Sequence, residues 1–115
     1  MNRIHPSAVI GPRVSLGAGN TIGPNVVLAG RTTIGDDNWI GPGTCIGIAG
    51  DILGRPTASD VPFWEADASG EDEAVLVGSR NVIKESVTIH AGSHRPTTIG
   101  NDCYLMPRSH LGHDC

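Results

Sequence analysis

Three histidines and an aspartate gather in the last quarter of the chain: His90, His110, His113 and Asp114. Imidazole titrates near pH 6.5, so in its neutral form it can take a proton from a hydroxyl at physiological pH. A nearby carboxylate fixes the tautomer and raises the basicity of such a ring. Asp114 directly follows His113, although adjacent residues of a strand point to opposite faces. A positioned base of this kind contributes about 10²–10⁴ in rate. From spacing alone, the same imidazoles equally suit a zinc ion. His5 and His94 stand apart and read as surface histidines. Arg80, Lys84, Arg95 and Arg108 offer positive charge for a diphosphate or an acidic partner, or are solvated surface charges.

These residues sit on a chain with a strict period. A branched aliphatic returns every sixth position at Ile4, Ile10, Leu16, Ile22, Leu28, Ile34, Ile40 and Ile46, and six of the eight are followed by glycine. Strands alternate with period two and helices turn every 3.6 residues, so neither alone produces this spacing. A short strand plus a tight corner, used repeatedly, does: the hexad of a parallel β-helix. Three hexads make a triangular coil of 18 residues, which places residue i beneath i+18 about 4.8 Å along the axis. The residue four after each aliphatic is small or medium (Ala8, Val14, Asn20, Val26, Thr32, Asn38, Thr44) and faces the same interior. Asn20 then stacks on Asn38 as an asparagine ladder. The glycines suit corners that a side chain would crowd.

The phase breaks twice. Residues 48–76 lack it and hold seven carboxylates against Arg55, which gives the segment a charge of −6 and leaves +2 on the rest of a chain whose total is −4. This predicts an acidic loop thrown out from one corner, with Phe63 and Trp64 available to pin it. It either covers substrate or is simply solvated. Coils resume at Val77, Ile83 and Ile89, slip by four residues over about 92–98, and resume at Ile99, Leu105 and Leu111. The hexad rule also fails locally where Lys84, His90 and Met106 replace the glycine, and a filled β-helix must carry its chemistry on such outer positions. The sequence stops in mid-hexad without a carboxy-terminal cap, so a truncated chain or an end covered by a partner is expected.

Composition narrows the class. One all-β domain spans residues 1–115. Few aromatics, sixteen glycines and eight prolines fit a solenoid of stacked aliphatics. The charge gives no support for nucleic-acid binding, no run suggests a signal peptide or a membrane span, and three unpaired-looking cysteines point to a cytoplasmic location.

The run Asn81-Val82-Ile83-Lys84-Glu85-Ser86-Val87-Thr88-Ile89-His90, then Ser109-His110-Leu111-Gly112-His113-Asp114-Cys115, resembles the acyl-carrier-protein-dependent UDP-N-acetylglucosamine O-acyltransferases. So does the opening Ile4-His5-Pro6-Ser7-Ala8-Val9-Ile10-Gly11. The resemblance implies a left-handed parallel β-helix, an exception to the right-handed crossover rule, assembled as a homotrimer with sites between subunits. It implies transfer of a fatty acyl group, often 3-hydroxyacyl, from acyl carrier protein to the glucosamine 3-hydroxyl in lipid A biosynthesis. The donor is then phosphopantetheine-borne, with no resident cofactor and no metal. His113 corresponds to the general base, Asp114 to the acid that orients it, and His110 and His90 to histidines lining the same cleft. Asp51 matches the nucleotide-sugar aspartate through a gapped alignment. The family's lysine just beyond it is replaced by Leu53 or Gly54, and with the His94-Arg95-Pro96 loop and the long acidic insertion this points to a related but different acceptor sugar.

Three other readings stay open: an acetyl-CoA-dependent sugar acetyltransferase on the same scaffold, a trimeric zinc lyase with interfacial histidines, and a non-catalytic structural solenoid.

Overall fold

The computed structural model describes residues 1–48, 74–112 and 115. Asp51 with the rest of the acidic segment, and His113 with Asp114, lie outside the described residues. Among the described residues, fourteen short strands form three parallel sheets, one per face of a triangular coil. The first face stacks β1 (Arg3–Ile4), β4 (Thr21–Ile22), β7 (Trp39–Ile40), β10 (Val82–Ile83) and β13 (Tyr104–Leu105). The second stacks β2 (Val9–Ile10), β5 (Val27–Leu28), β8 (Cys45–Ile48), β11 (Thr88–His90) and β14 (His110–Leu111). The third stacks β3 (Ser15–Leu16), β6 (Arg31–Ile34), β9 (Ala74–Val77) and β12 (Thr97–Ile99).

Register follows the hexads. Ile4 pairs with Ile22 and Ile22 with Ile40, each 18 residues on. Val82 pairs with Trp39 across 43 residues, and with Tyr104 across 22, so the two interruptions are absorbed without a change of face. Both are narrower than the broken phase suggests. Ala74–Val77 pairs with Arg31–Ile34, and Thr97–Ile99 pairs with Val75–Val77, so the loops expected at about 48–76 and 92–98 give way to strand at Ala74 and Thr97. Val75 and Thr97 are fully buried at the interior position two before the aliphatic, which a search keyed to the aliphatic alone passes over.

The aliphatics of successive coils stack into the core, where Ile22, Leu28, Ile34, Ile40, Ile46, Ile83 and Ile89 are all at most 1% exposed. Each contributes about 1.5–3 kcal/mol by leaving water. Along one corner the asparagine ladder forms and reaches further than Asn20 and Asn38. The Asn20 N–H donates to Asn2 Oδ1, the Asn38 N–H to Asn20 Oδ1 and the Asn81 N–H to Asn38 Oδ1, each at 2.9 Å. The Cys103 N–H closes the series on Asn81 Oδ1 at 2.8 Å. The side-chain amides of Asn2, Asn20, Asn38 and Asn81 donate to the carbonyls of Gly17, Gly35, Gly78 and Gly100. Among the described residues no buried side-chain polar atom is left without a partner, as a low-dielectric interior demands.

The glycine after the aliphatic is crowded as its corner position suggests, and the crowding comes from the neighbouring coil. Gly35 has no positive φ; a Cβ there would stand 2.7 Å from the Gly78 carbonyl oxygen in the next coil, so close coil approach excludes a side chain. The left-handed corner conformation falls instead on residues such as Asp37, Asn25, Ser86 and Arg108, with φ between 57° and 64°. Gly47 is a further case: Ile89 pairs with Ile46 and His90 with Ile48, which leaves Gly47 as the extra residue of a β-bulge at φ 96°. That bulge lies beneath His90.

Candidate active site

The second face brings the two motif segments together. Thr88 of β11 pairs with His110 of β14, and Ile89 with Leu111. Because strand side chains alternate, Ile89 fills the core while Thr88 and His90 project outward. His110 projects from the next coil on the same side. The His90 and His110 rings meet edge to face, with centroids 4.7 Å apart and planes at 78°. Thr88 Oγ1 lies 2.7 Å from His110 Nδ1. Two of the histidines singled out in the sequence are therefore in contact although twenty residues separate them. Thr88 joins them; it lies within the run over residues 81–90 that carries the resemblance, but no role was assigned to it there.

Cys45 precedes Thr88 in the same outward row. Burial pushes its thiol above the usual range, so it is a poor thiolate. Cys45, Cys103 and Cys115 are all free thiols.

The expected cations are dispersed. Lys84 follows β10 on the first face, and its ammonium lies over the Trp39 ring, 5.1 Å from the centroid, in a cation–π contact. Trp39, Tyr104 and Met106 are exposed large apolar side chains on that face and its corner. Arg95 is exposed in the connection between β11 and β12. Arg80 is held at a corner by Asp102, with Nε 2.9 Å from Oδ1. Hydrogen bonding and charge in this pair push the Asp102 carboxyl below its ordinary value and the Arg80 guanidinium above its own. Both side chains are open to water, so the pair shapes the corner and adds little stability.

Among the described residues no group of three metal-ligating side chains stands together, and no helix is long and apolar enough to cross a membrane.

A three-faced solenoid of 18-residue coils, with stacked aliphatics inside and an asparagine ladder along one corner, is a hexapeptide-repeat protein, and the fold is the left-handed parallel β-helix. In sequence, the chain matches the acyl-carrier-protein–UDP-N-acetylglucosamine O-acyltransferases. Relatives of that name from two Xanthomonas oryzae pv. oryzae strains are each 43% identical over 121 residues, which is 97% of this chain and 46% of theirs. The chain thus spans about half the length of the curated relatives it matches. Among solved structures, a UDP-N-acetylglucosamine acyltransferase from Bacteroides fragilis 9343 aligns over 98% of this chain and 45% of its own, at TM-score 0.69 and 30% identity. The LpxA protein of Acinetobacter baumannii aligns over 99% and 45%, at TM-score 0.59 and 29% identity. No protein-family model matches the chain.

Proposed function

We propose that this chain carries the histidine-lined part of an acyltransferase that moves a fatty acyl group, in the 3-hydroxyacyl class, from acyl carrier protein to a hydroxyl of UDP-N-acetylglucosamine or a related nucleotide sugar. One observation supports this above the others. The two segments that resemble the O-acyltransferases in sequence are neighbouring coils of one face, and their histidines are in contact. In this reading His113, two residues beyond β14, is the base that takes the proton of the acceptor hydroxyl. Asp114 orients it, and His90 and His110 hold the sugar nucleotide beside it. Asp51, Lys84 and Arg95 contribute to recognition of the nucleotide sugar. The acyl donor brings its own phosphopantetheine, so the protein needs no resident cofactor. A homotrimer in the cytoplasm, with each site shared between subunits, completes the proposal.

Binding is open to direct test. Titration with UDP-N-acetylglucosamine, followed by the imidazole resonances of the protein, is expected to shift His90 and His110 saturably and to leave His5 in place. His5 makes its own bond to Ser7 Oγ on the first coil. Equal shifts at all histidines, or none at His90 and His110, would contradict a sugar-nucleotide site on this face.

A further inference from the structure

We propose that Thr88 is a positioning residue that keeps His110 a hydrogen-bond donor: its hydroxyl donates to Nδ1, so the ring hydrogen of His110 stays on Nε2. Three observations carry this.

The O···N separation of 2.7 Å is the common length for a hydroxyl donor and stands at the short limit for an N–H donor to oxygen. Among the described residues, Nδ1 is also the only acceptor that Thr88 Oγ1 meets, so a hydroxyl that accepted from Nδ1–H instead would leave its own hydrogen without a protein partner. His90 packs edge to face on one side of the same ring, with centroids 4.7 Å apart, and favours the orientation that sets Nδ1 against Thr88. Nε2 then lies toward Gly112, 3.9 Å from where a Cβ on that glycine would stand.

The hydroxyl is suited to this task because it can both donate and accept. With a neutral ring it donates to Nδ1. If the ring gains a proton, that proton goes to Nδ1, and the hydroxyl rotates to accept it. In both states Nε2 carries a hydrogen, so His110 presents no lone pair beyond the face. It is a donor to an acceptor oxygen, such as a hydroxyl, carbonyl or phosphate oxygen, and it is not a base. That the oxygen belongs to a sugar nucleotide rests on the function proposed above; the tautomer itself does not.

Long-range ¹H–¹⁵N correlation spectra of the imidazoles test the tautomer on the 115-residue chain without substrate, with His110 assigned by the loss of its signals in His110→Asn. The native protein is expected to show His110 as the Nε2–H form. Thr88→Val keeps the branched shape at a half-buried strand position and removes the donor, and it is expected to give a mixture of both tautomers. Thr88→Ser is expected to restore the native pattern. An Nδ1–H form in the native protein, or an unchanged tautomer in Thr88→Val, would overturn the assignment. Should Thr88→Val fail to fold, the native spectrum and Thr88→Ser decide it. A clean Nε2–H result with no response to UDP-N-acetylglucosamine would keep the tautomer and remove the sugar-nucleotide reading.

Discussion

The His113→Ala variant is expected to lose about 10²–10⁴ in kcat for acyl transfer, the range that a positioned general base supplies. The proposed acceptor is a sugar hydroxyl, a poor nucleophile until its proton is drawn away as the carbonyl is attacked. A neutral imidazole is suited to that near neutral pH. Binding of the sugar nucleotide should change far less, because the proposed function gives that task to His90 and His110. The loss therefore belongs in kcat, with KM nearly unchanged, as for an interaction made only in the transition state. The rise of kcat/KM with pH in the native enzyme should also vanish in the variant, since that limb reports the ionisation of the base. A variant with native kcat, or one that keeps the alkaline rise, would remove His113 from the base role. The assignment of His110 as a donor is consistent with this proposal, which gives the base role to His113.

Asn38→Leu is expected to cost about 2–4 kcal/mol of folding stability. Asn38 is 1% exposed in the middle of the ladder, and its side chain serves the coil on either side. Its Oδ1 accepts the Asn81 N–H at 2.9 Å, and its Nδ2 donates to the Gly78 carbonyl at 2.9 Å and to Asn20 Oδ1 at 3.0 Å. Leucine has the same branching, is bulkier, and makes none of these bonds. The Asn81 N–H would be left buried without an acceptor, at about 1–3 kcal/mol. The Gly78 carbonyl fares better because it also accepts from the Gly35 N–H at 3.2 Å. Lost bonds at about 0.5–1.5 kcal/mol each make up the remainder. In thermal denaturation this should lower Tm by several degrees, whereas Thr33→Val on the outer surface should move stability by about 0.5 kcal/mol at most. Equal effects of the two substitutions would show that the ladder is incidental to the fold.

Much of the fold was legible because one physical demand repeats. Every coil must put an aliphatic inside at the same place, so eight hexads announce the solenoid, and the spacing of 18 follows from three faces. The pairing of Asn20 with Asn38 was readable for the same reason. Other features were hidden in the relation between coils, which a period along the chain does not expose. The glycines were readable as crowded corners, but not that the crowding comes from the carbonyl of the coil above, as at Gly35. Gly47 looked like the others and is a bulge. Val75 and Thr97 were lost in the interruptions because their strands resume before the aliphatic that marks a hexad.

The site divides in the same way. His90 and His110 could be named from the sequence, and their contact follows from stacking once the four-residue slip is placed. Lys84 could also be named, but it lies over Trp39 on the first face and not against the histidines. Thr88 lies in the run over residues 81–90 that carries the resemblance, but its role appears only when the next coil sets His110 opposite it.

The central claim is acyl transfer to a nucleotide sugar, and product analysis tests it most directly. The protein would be incubated with UDP-N-acetylglucosamine, 3-hydroxyacyl-acyl carrier protein and acetyl-CoA together, and the sugar nucleotides read by mass spectrometry. The predicted result is a single new species heavier by one 3-hydroxyacyl group, absent with His113→Ala. An acetylated product would replace the proposed donor with acetyl-CoA, and no acylated sugar nucleotide from folded protein would contradict the claim.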